Sequence, residues 1–310
     1  MAQRAAPVLP RRSRLLWQPR PGWFRETLVG YGFVLVPMGL FIIFFIYPML
    51  YALYISRYDW SVYGKVSFLG WGNYSALWHD DIFRRAIKNT LEYTLWVVPL
   101  QMAMGLLMAV IVNQKIRARG FFRAAFYFPS ISSSAAITTL ALYILASDGL
   151  LNKFLSVFGL PQRTWFYETT TALPSITGLN AWTTSGTMML FYLASLQAIP
   201  TDVYEAAAID GAGAWRTFWK VTFPLLKPGH FFVAVVSITG AMKVFDQNYI
   251  VSKGTGGPAY STLSVVLDLY ITAIKDIHFG LAAAMGVVLF VVIFVITLLQ
   301  WFGYGRKGAD

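Results

Sequence analysis

Long stretches without a single charged residue alternate with short polar interruptions through most of this sequence. The uncharged runs are Thr27–Ser56, Tyr93–Gln114, Ala124–Ser147, Thr169–Thr201 and Phe279–Gly305. A sixth apolar run, Pro228–Ser252, is broken only by Lys243 and Asp246. A bilayer core takes about 20 apolar residues in helical form, so each run is long enough to cross one. The pattern predicts an all-α, polytopic membrane protein with six transmembrane helices. Pro174 and Pro200 bracket the fourth run and confine its span to Ile176–Ala198, since proline interrupts a helix. Pro37, Pro48 and Pro99 fall inside runs and should kink them, which is tolerable where neighbours or water take up the freed carbonyls. The expected organisation is a polar tail at 1–26, a membrane domain at 27–305 whose longest polar interruption on the basic side is 200–228, and a short tail at 306–310.

Composition agrees with that class. Of 310 residues, 57% are hydrophobic and 13% charged, and the mean hydropathy is +0.56. The absence of cysteine excludes disulfides, thiolate metal sites and thiol catalysis. His79, His230 and His278 are far apart and lack HxxxH or HExxH spacing, so no metal site is expected.

The net charge of +11 has a topological source. Most of the basic residues fall on alternate sides of the predicted helices. They occupy the N-terminal tail (Arg4, Arg11, Arg12, Arg14, Arg20, Arg25), the second loop (Lys115, Arg117, Arg119, Arg123), the 200–228 loop (Arg216, Lys220, Lys227) and the C-terminal tail (Arg306, Lys307). By the positive-inside rule these segments, both termini included, are expected in the cytoplasm, and no nucleic-acid partner is needed to explain the charge. The N-terminal tail, with Trp17, Trp23 and Phe24 near the headgroups, reads as cytoplasmic rather than as a cleavable signal, because the apolar run starts too late and is too long. Between Arg57 and Arg85, aromatics (Tyr58, Trp60, Tyr63, Phe68, Trp71, Tyr74, Trp78) alternate with Gly and Asp, suiting an interfacial belt or contact with an extracytoplasmic partner.

The 200–228 interruption has internal structure. Pro200 halts the preceding helix, and Asp202 with Glu205 has the spacing of a capping pair that opens a short new one. Gly211 and Gly213 supply positive φ to end it, and a second amphipathic piece runs to Pro224. Tyr204, Ala207, Ala208 and Gly211 share one face by 3.6-residue periodicity. That face is small, where a helix lying in headgroups would carry Leu, Phe or Trp, so it suits docking into a protein cleft.

These residues carry a resemblance. Glu205-Ala206-Ala207, Asp210-Gly211-Ala212 and Val221-Thr222-Phe223-Pro224 resemble the EAA loop of ABC importer permeases, with Val221 and Phe223 in place of the usual Ile and Leu. The stretches Asn89-Thr90-Leu91-Glu92, Gly120–Pro129 and Gly149–Asn152 are similar to the carbohydrate branch of that family, as is the GGP-x-x-ST turn Gly256–Thr262. The likeness extends from about Tyr47 to Gln300. It implies a type I importer-like permease fold and a coupling helix, Glu205 to Ala212, seated on a separate ATPase. The implied partners are two ATPase subunits holding ATP and Mg, a second permease subunit, an extracytoplasmic solute-binding protein, a di- or oligosaccharide and the lipid of a bacterial inner membrane.

Candidate pathway residues lie on the fourth and fifth predicted helices, which the resemblance implies line the sugar pocket. Lys243, Asp246 and Gln247 stand at i, i+3 and i+4, giving one face of a spanning helix a cation, an anion and an amide, with Asn248 turned about 100° to a flank. Ionisable residues inside a membrane face a cavity or a partner; here they either contact solute or pair, with each other or across a subunit seam. On the fourth helix Asn180 and Trp182, with Thr183, Thr184 and Ser185, form a polar-aromatic patch suited to a sugar or to the membrane interface. Gly280/Ala284 and Ala282/Gly286, four residues apart, permit close packing of the last helix.

No G-x-x-x-x-G-K-[ST] loop occurs, so the chain has no ATPase of its own and no bound cofactor is expected. A glycerol-phosphate-type solute is an alternative to a sugar. A secondary transporter using Lys243 and Asp246 as a proton relay is a rival class, and an enzyme would need a catalytic cluster that the sequence does not supply.

Overall fold

Uncharged runs fold as helices because a backbone away from water must satisfy its own hydrogen bonds. The computed structural model describes residues 23–114 and 116–305, and side chains over 26–114 and 116–303; the chain divides into a unit ending at Tyr51 and a unit beginning at Ala52. Trp17, Lys115, the tail at 306–310 and the side chains of Trp23, Phe24 and Arg25 therefore lie outside what is described.

The first unit is α1 (Trp23–Phe41), a π-helical turn (Ile42–Ile46) and most of α2 (Tyr47–Ile55). The π turn has a local cause. Pro48 has no N–H to return to the Phe44 carbonyl, and the Tyr47 N–H instead reaches back to the Ile42 carbonyl. Nearly every side chain from Glu26 to Tyr51 is exposed, which an apolar helix can sustain only in lipid or against a partner.

In the second unit the loop after α2 is not simply a belt of aromatics. Tyr58–Ser61 (β1) and Gly64–Phe68 (β2) form an antiparallel hairpin with a register shift at Asp59/Trp60, followed by α3 (Gly72–His79). Tyr58, Trp60 and Phe68 of the aromatic series stand on this small sheet, the one departure from an all-helical chain among the described residues, while Tyr74 and Trp78 stand on α3. Asn73 fixes it from below, donating from Nδ2 to the carbonyls of Ser56 (2.9 Å) and Tyr58 (3.0 Å).

The second expected span is the C-terminal part of a longer helix, α4 (Asp81–Asn113). A cap sets its start: Asp80 Oδ1 accepts from the Ile82 and Phe83 N–H groups at 2.8 and 3.4 Å. The third expected span, Ala124–Ser147, is instead a bent pair, α5 (Arg119–Ile131) and α6 (Ser134–Ile144), meeting at 92°. The serine run Ser130–Ser134 explains the break: Ser132 is extended and Ser133 lies outside both helices, serine being a weak helix former that competes for backbone hydrogen bonds.

The short α7 (Leu150–Val157) leads to α8 (Ala172–Gln197). Buried Asn152 organises this connection. Its Nδ2 donates to the carbonyls of Ala146, Ser147 and Arg163, and its Oδ1 accepts from the Arg163 N–H and Trp165 Nε1. Among the described residues four helices are long and apolar enough to cross a membrane, and the bent pair supplies a fifth. α8 is long enough but more polar; it packs along α4 through Ile176, Ala181 and Met189, each fully buried, and protein rather than lipid covers its hydroxyls.

The rest is α9 (Thr201–Ile209), α10 (Ala214–Thr217), a π turn (Phe218–Thr222), α11 (Phe223–Leu225), α12 (Lys227–Ala241), α13 (Asp246–Ser252), α14 (Val265–Tyr270), a third π turn (Ile271–Lys275) and α15 (Phe279–Gln300), which ends in a further π turn (Trp301–Gly305). The expected fifth helix is thus two helices. Phe245 leaves the helical region (φ −139°, ψ −59°), so Lys243, Asp246 and Gln247 do not lie on one continuous helix face. The turn after α13 is tied to both neighbours: Asn89 donates to the carbonyls of Tyr260 (2.7 Å) and Leu263 (3.0 Å), and Asn248 to that of Thr262 (2.6 Å). The small residue opening the last helix faces the hairpin, not a helix; a Cβ on Gly280 would collide with the backbone of Tyr58.

Candidate functional site

The break between α12 and α13 opens a cleft of about 320 Å³ in an otherwise apolar region. Helix α8 contributes Asn180 and Thr184, α4 contributes Gln101, α6 contributes Ser134, and the break contributes Lys243, Asp246 and Gln247. Gln101 is buried and accepts a short hydrogen bond from Thr184 Oγ1, which holds the amide in place. Gln247 is buried and donates from Nε2 to Ser134 Oγ at 2.9 Å, pinning α13 to α6. Lys243 and Asp246 are exposed, and neither belongs to an ion pair among the described residues. The alternative in which these charges neutralise each other is not the arrangement found.

Four of the six sequence-predicted pathway residues, Asn180, Lys243, Asp246 and Gln247, therefore line one cleft. Two do not. Trp182 follows Asn180 by two positions, about 200° around a helix, and points away, half exposed, so the Asn180–Trp182 pair does not form. Asn248 is 1% exposed and serves the turn through Thr262. Thr184, part of the polar-aromatic patch expected on the fourth helix, lines the cleft with Asn180, whereas Gln101 and Ser134 carry no such expectation. Gln101, a lone amide within an apolar run, was the available signal; Ser134 comes into place only through the bend that sequence reading missed.

The 200–228 segment departs from expectation in detail. α9 begins at Thr201 with Pro200 as its N-cap and no side-chain cap, so Asp202 and Glu205 do not cap it; Asp202 falls within the first turn, where its charge favours the helix dipole. The end is as read at Gly211 (φ +69°): Gly211 N–H donates to the Ala208 carbonyl at 3.1 Å and Ala212 N–H to that of Ala207 at 2.9 Å, the two bonds of a Schellman motif. Gly213 has an ordinary φ of −68° and opens α10. The small face is divided. Ala207 is buried and Tyr204 half-buried, its hydroxyl accepting from Thr222 Oγ1 at 3.4 Å, which fixes α9 to the second π turn. The exposed side is Glu205, Ala206, Ala208, Ile209, Asp210 and Gly211, with Ile209 at 87% exposure and half-buried Ala212 beyond it.

Residues 101–302 match the family described as binding-protein-dependent transport system inner membrane component. The chain is 34% identical over 280 residues to the lactose transport system permease protein LacF of Rhizobium radiobacter, covering 88% of this chain and 93% of that protein. It is 31% identical to the sn-glycerol-3-phosphate transport system permease protein UgpA of Agrobacterium fabrum, covering 90% and 95%. A chain in the crystal structure of a bacterial alginate ABC transporter, in complex with an alginate pentasaccharide-bound periplasmic protein, matches with a TM-score of 0.78 at 23% identity, covering 89% and 94%.

Proposed function

The chain belongs to the binding-protein-dependent transport system inner membrane components, and we propose that it is the membrane-spanning permease subunit of an ATP-driven ABC importer that carries a di- or oligosaccharide into the cytoplasm. The observation that carries this reading is the cleft at the α12–α13 break. Amides, hydroxyls and one charge of each sign converge there within helices that otherwise present apolar side chains. Sugars are held through hydrogen bonds to their hydroxyls, which amides and carboxylates supply, and buried unpaired polar groups reject solutes that cannot answer them. The names of the relatives, a lactose permease among them, point the same way.

The second reading, a polyol phosphate, draws on the glycerol-phosphate relative. Lys243 alone would favour it. Asp246 shares the cleft, and a carboxylate beside a phosphate is repulsive, so the lining suits a neutral solute better. Energy enters through α9. Its exposed side, Glu205 to Ala212, docks on a separate ATPase subunit that holds ATP and Mg, and α9 passes the motion through Tyr204 and Thr222 to the membrane helices. A second permease subunit completes the pathway, an extracytoplasmic binding protein delivers the sugar, and the 200–228 loop and both termini face the cytoplasm.

The test is uptake by vesicles holding the full complex. ATP should drive entry of a disaccharide, Asp246→Ala should cut uptake without altering assembly, and glycerol phosphate should not compete. Competition by glycerol phosphate, with disaccharide ignored, would overturn the sugar assignment. Uptake that persists without ATP and collapses with an uncoupler would overturn the ABC reading.

A further inference from the structure

A cavity larger than the proposed pathway cleft lies away from it. It is a cleft of about 530 Å³ at the hairpin end of α15, within the range of about 300–1,000 Å³ that holds small molecules. One wall is a valine stripe, Val287, Val288, Val291 and Val292, and the mouth carries Arg57 and Trp71. The stripe starts eight residues into α15 and ends thirteen residues in, about 12 to 20 Å along the helix at about 1.5 Å per residue. α15 begins beside the hairpin, where Gly280 meets Tyr58, so the cleft reaches about one leaflet deep into a core of about 30 Å.

The mouth has a specific chemistry. The Arg57 guanidinium lies over the Trp71 ring at 5.2 Å, and Arg57 is exposed. The ion pairs among the described residues are Arg84–Asp81 and Arg163–Glu168, so this cation has no carboxylate partner, although Asp59 is two positions away. A second cation, Lys65, sits over the neighbouring Tyr58 ring at 4.0 Å. The backbone beneath is fixed, since the Leu69 and Gly70 N–H groups both donate to the Arg57 carbonyl at 3.0 Å.

We propose that this cleft is a binding site for an anionic phospholipid, one acyl chain lying along the valine stripe and the headgroup phosphate bound by Arg57. A wholly apolar partner helix could cover the valines but would leave the guanidinium unanswered. A phospholipid supplies the apolar chain and the anion in one molecule, and Arg offers the planar donor fork that suits phosphate. Lys65, over the ring of the residue next to Arg57, adds a second positive charge beside the cleft's own lining, which favours a net-negative headgroup over a zwitterionic one.

The test uses the full chain, in its native complex, in vesicles that carry a phosphatidylglycerol or a phosphatidylcholine with a photoreactive acyl chain, and the labelled peptides are mapped. The phosphatidylglycerol probe should label the 287–292 stretch in preference to phosphatidylcholine. Arg57→Gln should lower phosphatidylglycerol labelling about fivefold, the weight of one basic residue at a membrane surface, and lower phosphatidylcholine labelling less, because its choline already offsets the phosphate charge. Val288→Trp, which fills the stripe, should lower both. Equal labelling of the unaltered chain by the two probes would overturn the proposal without any variant. So would indifference to Arg57→Gln, or a protein–protein crosslink in place of lipid at the stripe.

Discussion

Gly211 offers a sharp perturbation of α9, the proposed docking helix, because within this chain the cost of a side chain there is conformational alone. An added Cβ meets no atom of this chain within 4 Å, so substitution creates no clash inside it. What it costs is conformational: φ is +69°, and an L-residue held in that region costs about 1–2 kcal/mol. The two hydrogen bonds of the Schellman motif, from Gly211 and Ala212, depend on that geometry. If the segment relaxes to avoid the strain, the population holding the α9 end correctly falls by about 5- to 30-fold. Asn tolerates the left-handed region better than Ala, and a β-branched residue tolerates it worst, so the series Gly, Asn, Ala, Val should lose coupling in that order. The assay is ATP hydrolysis stimulated by loaded binding protein in the assembled complex, with the amount of chain inserted in the membrane as control. Full stimulation in the Val variant at normal insertion would refute the role of α9, since the strain at this φ would then have no effect on coupling.

Three further outcomes follow from the packing. Gln247→Leu removes the bond to Ser134 Oγ and the cleft amide, and should weaken sugar uptake by about 2- to 12-fold, the weight of one hydrogen bond of about 0.5–1.5 kcal/mol, with insertion unchanged; a wild-type KM for uptake would remove Gln247 from the pathway. Asn152→Ala, which strips a buried amide from five hydrogen bonds, should destabilise the chain by several kcal/mol, read as a lower thermal midpoint in detergent, whereas a shift of under 1 °C would contradict its organising role. Asp268, outside the spans, is pushed up to about 6 by burial first and by the nearby charges of Asp80 and Asp276. A carboxyl raised in the fold is protonated there while already ionised in the unfolded chain, so stability falls as pH rises from about 4 to about 6, by about 3 kcal/mol, and is then level. Asp268→Asn should flatten that dependence in a pH series of thermal midpoints, and an unchanged slope would refute it.

The sequence disclosed what is governed by hydropathy and by backbone chemistry at single residues. Uncharged runs located the helices because the bilayer imposes a length, and Gly211 announced the end of α9 because few other residues take its φ. What it hid depends on contacts between distant segments. The 92° bend at Ser132–Ser133 and the break at Phe245 interrupt runs that look continuous, since their freed backbone groups find partners elsewhere; the Val244 carbonyl, for instance, accepts from Ser264 Oγ at 2.8 Å. Those two interruptions create the cleft, so periodicity placed Lys243, Asp246 and Gln247 together for a reason that does not hold. It could not bring Ser134 or Gln101 to them. Helical geometry also separates Trp182 from Asn180, a division visible in the sequence once two positions are counted as 200°.

The absence of native cysteine permits the most direct measurement of whether the cleft holds the solute. Single cysteines at Asn180, at Asp246 and, as a control pointing away, at Trp182 would be labelled with a small maleimide in the assembled transporter, with and without the transported sugar. Protection by sugar at 180 and 246, with none at 182, is the result the account predicts. Equal protection at all three, or none at 180 and 246 while uptake proceeds, would contradict it.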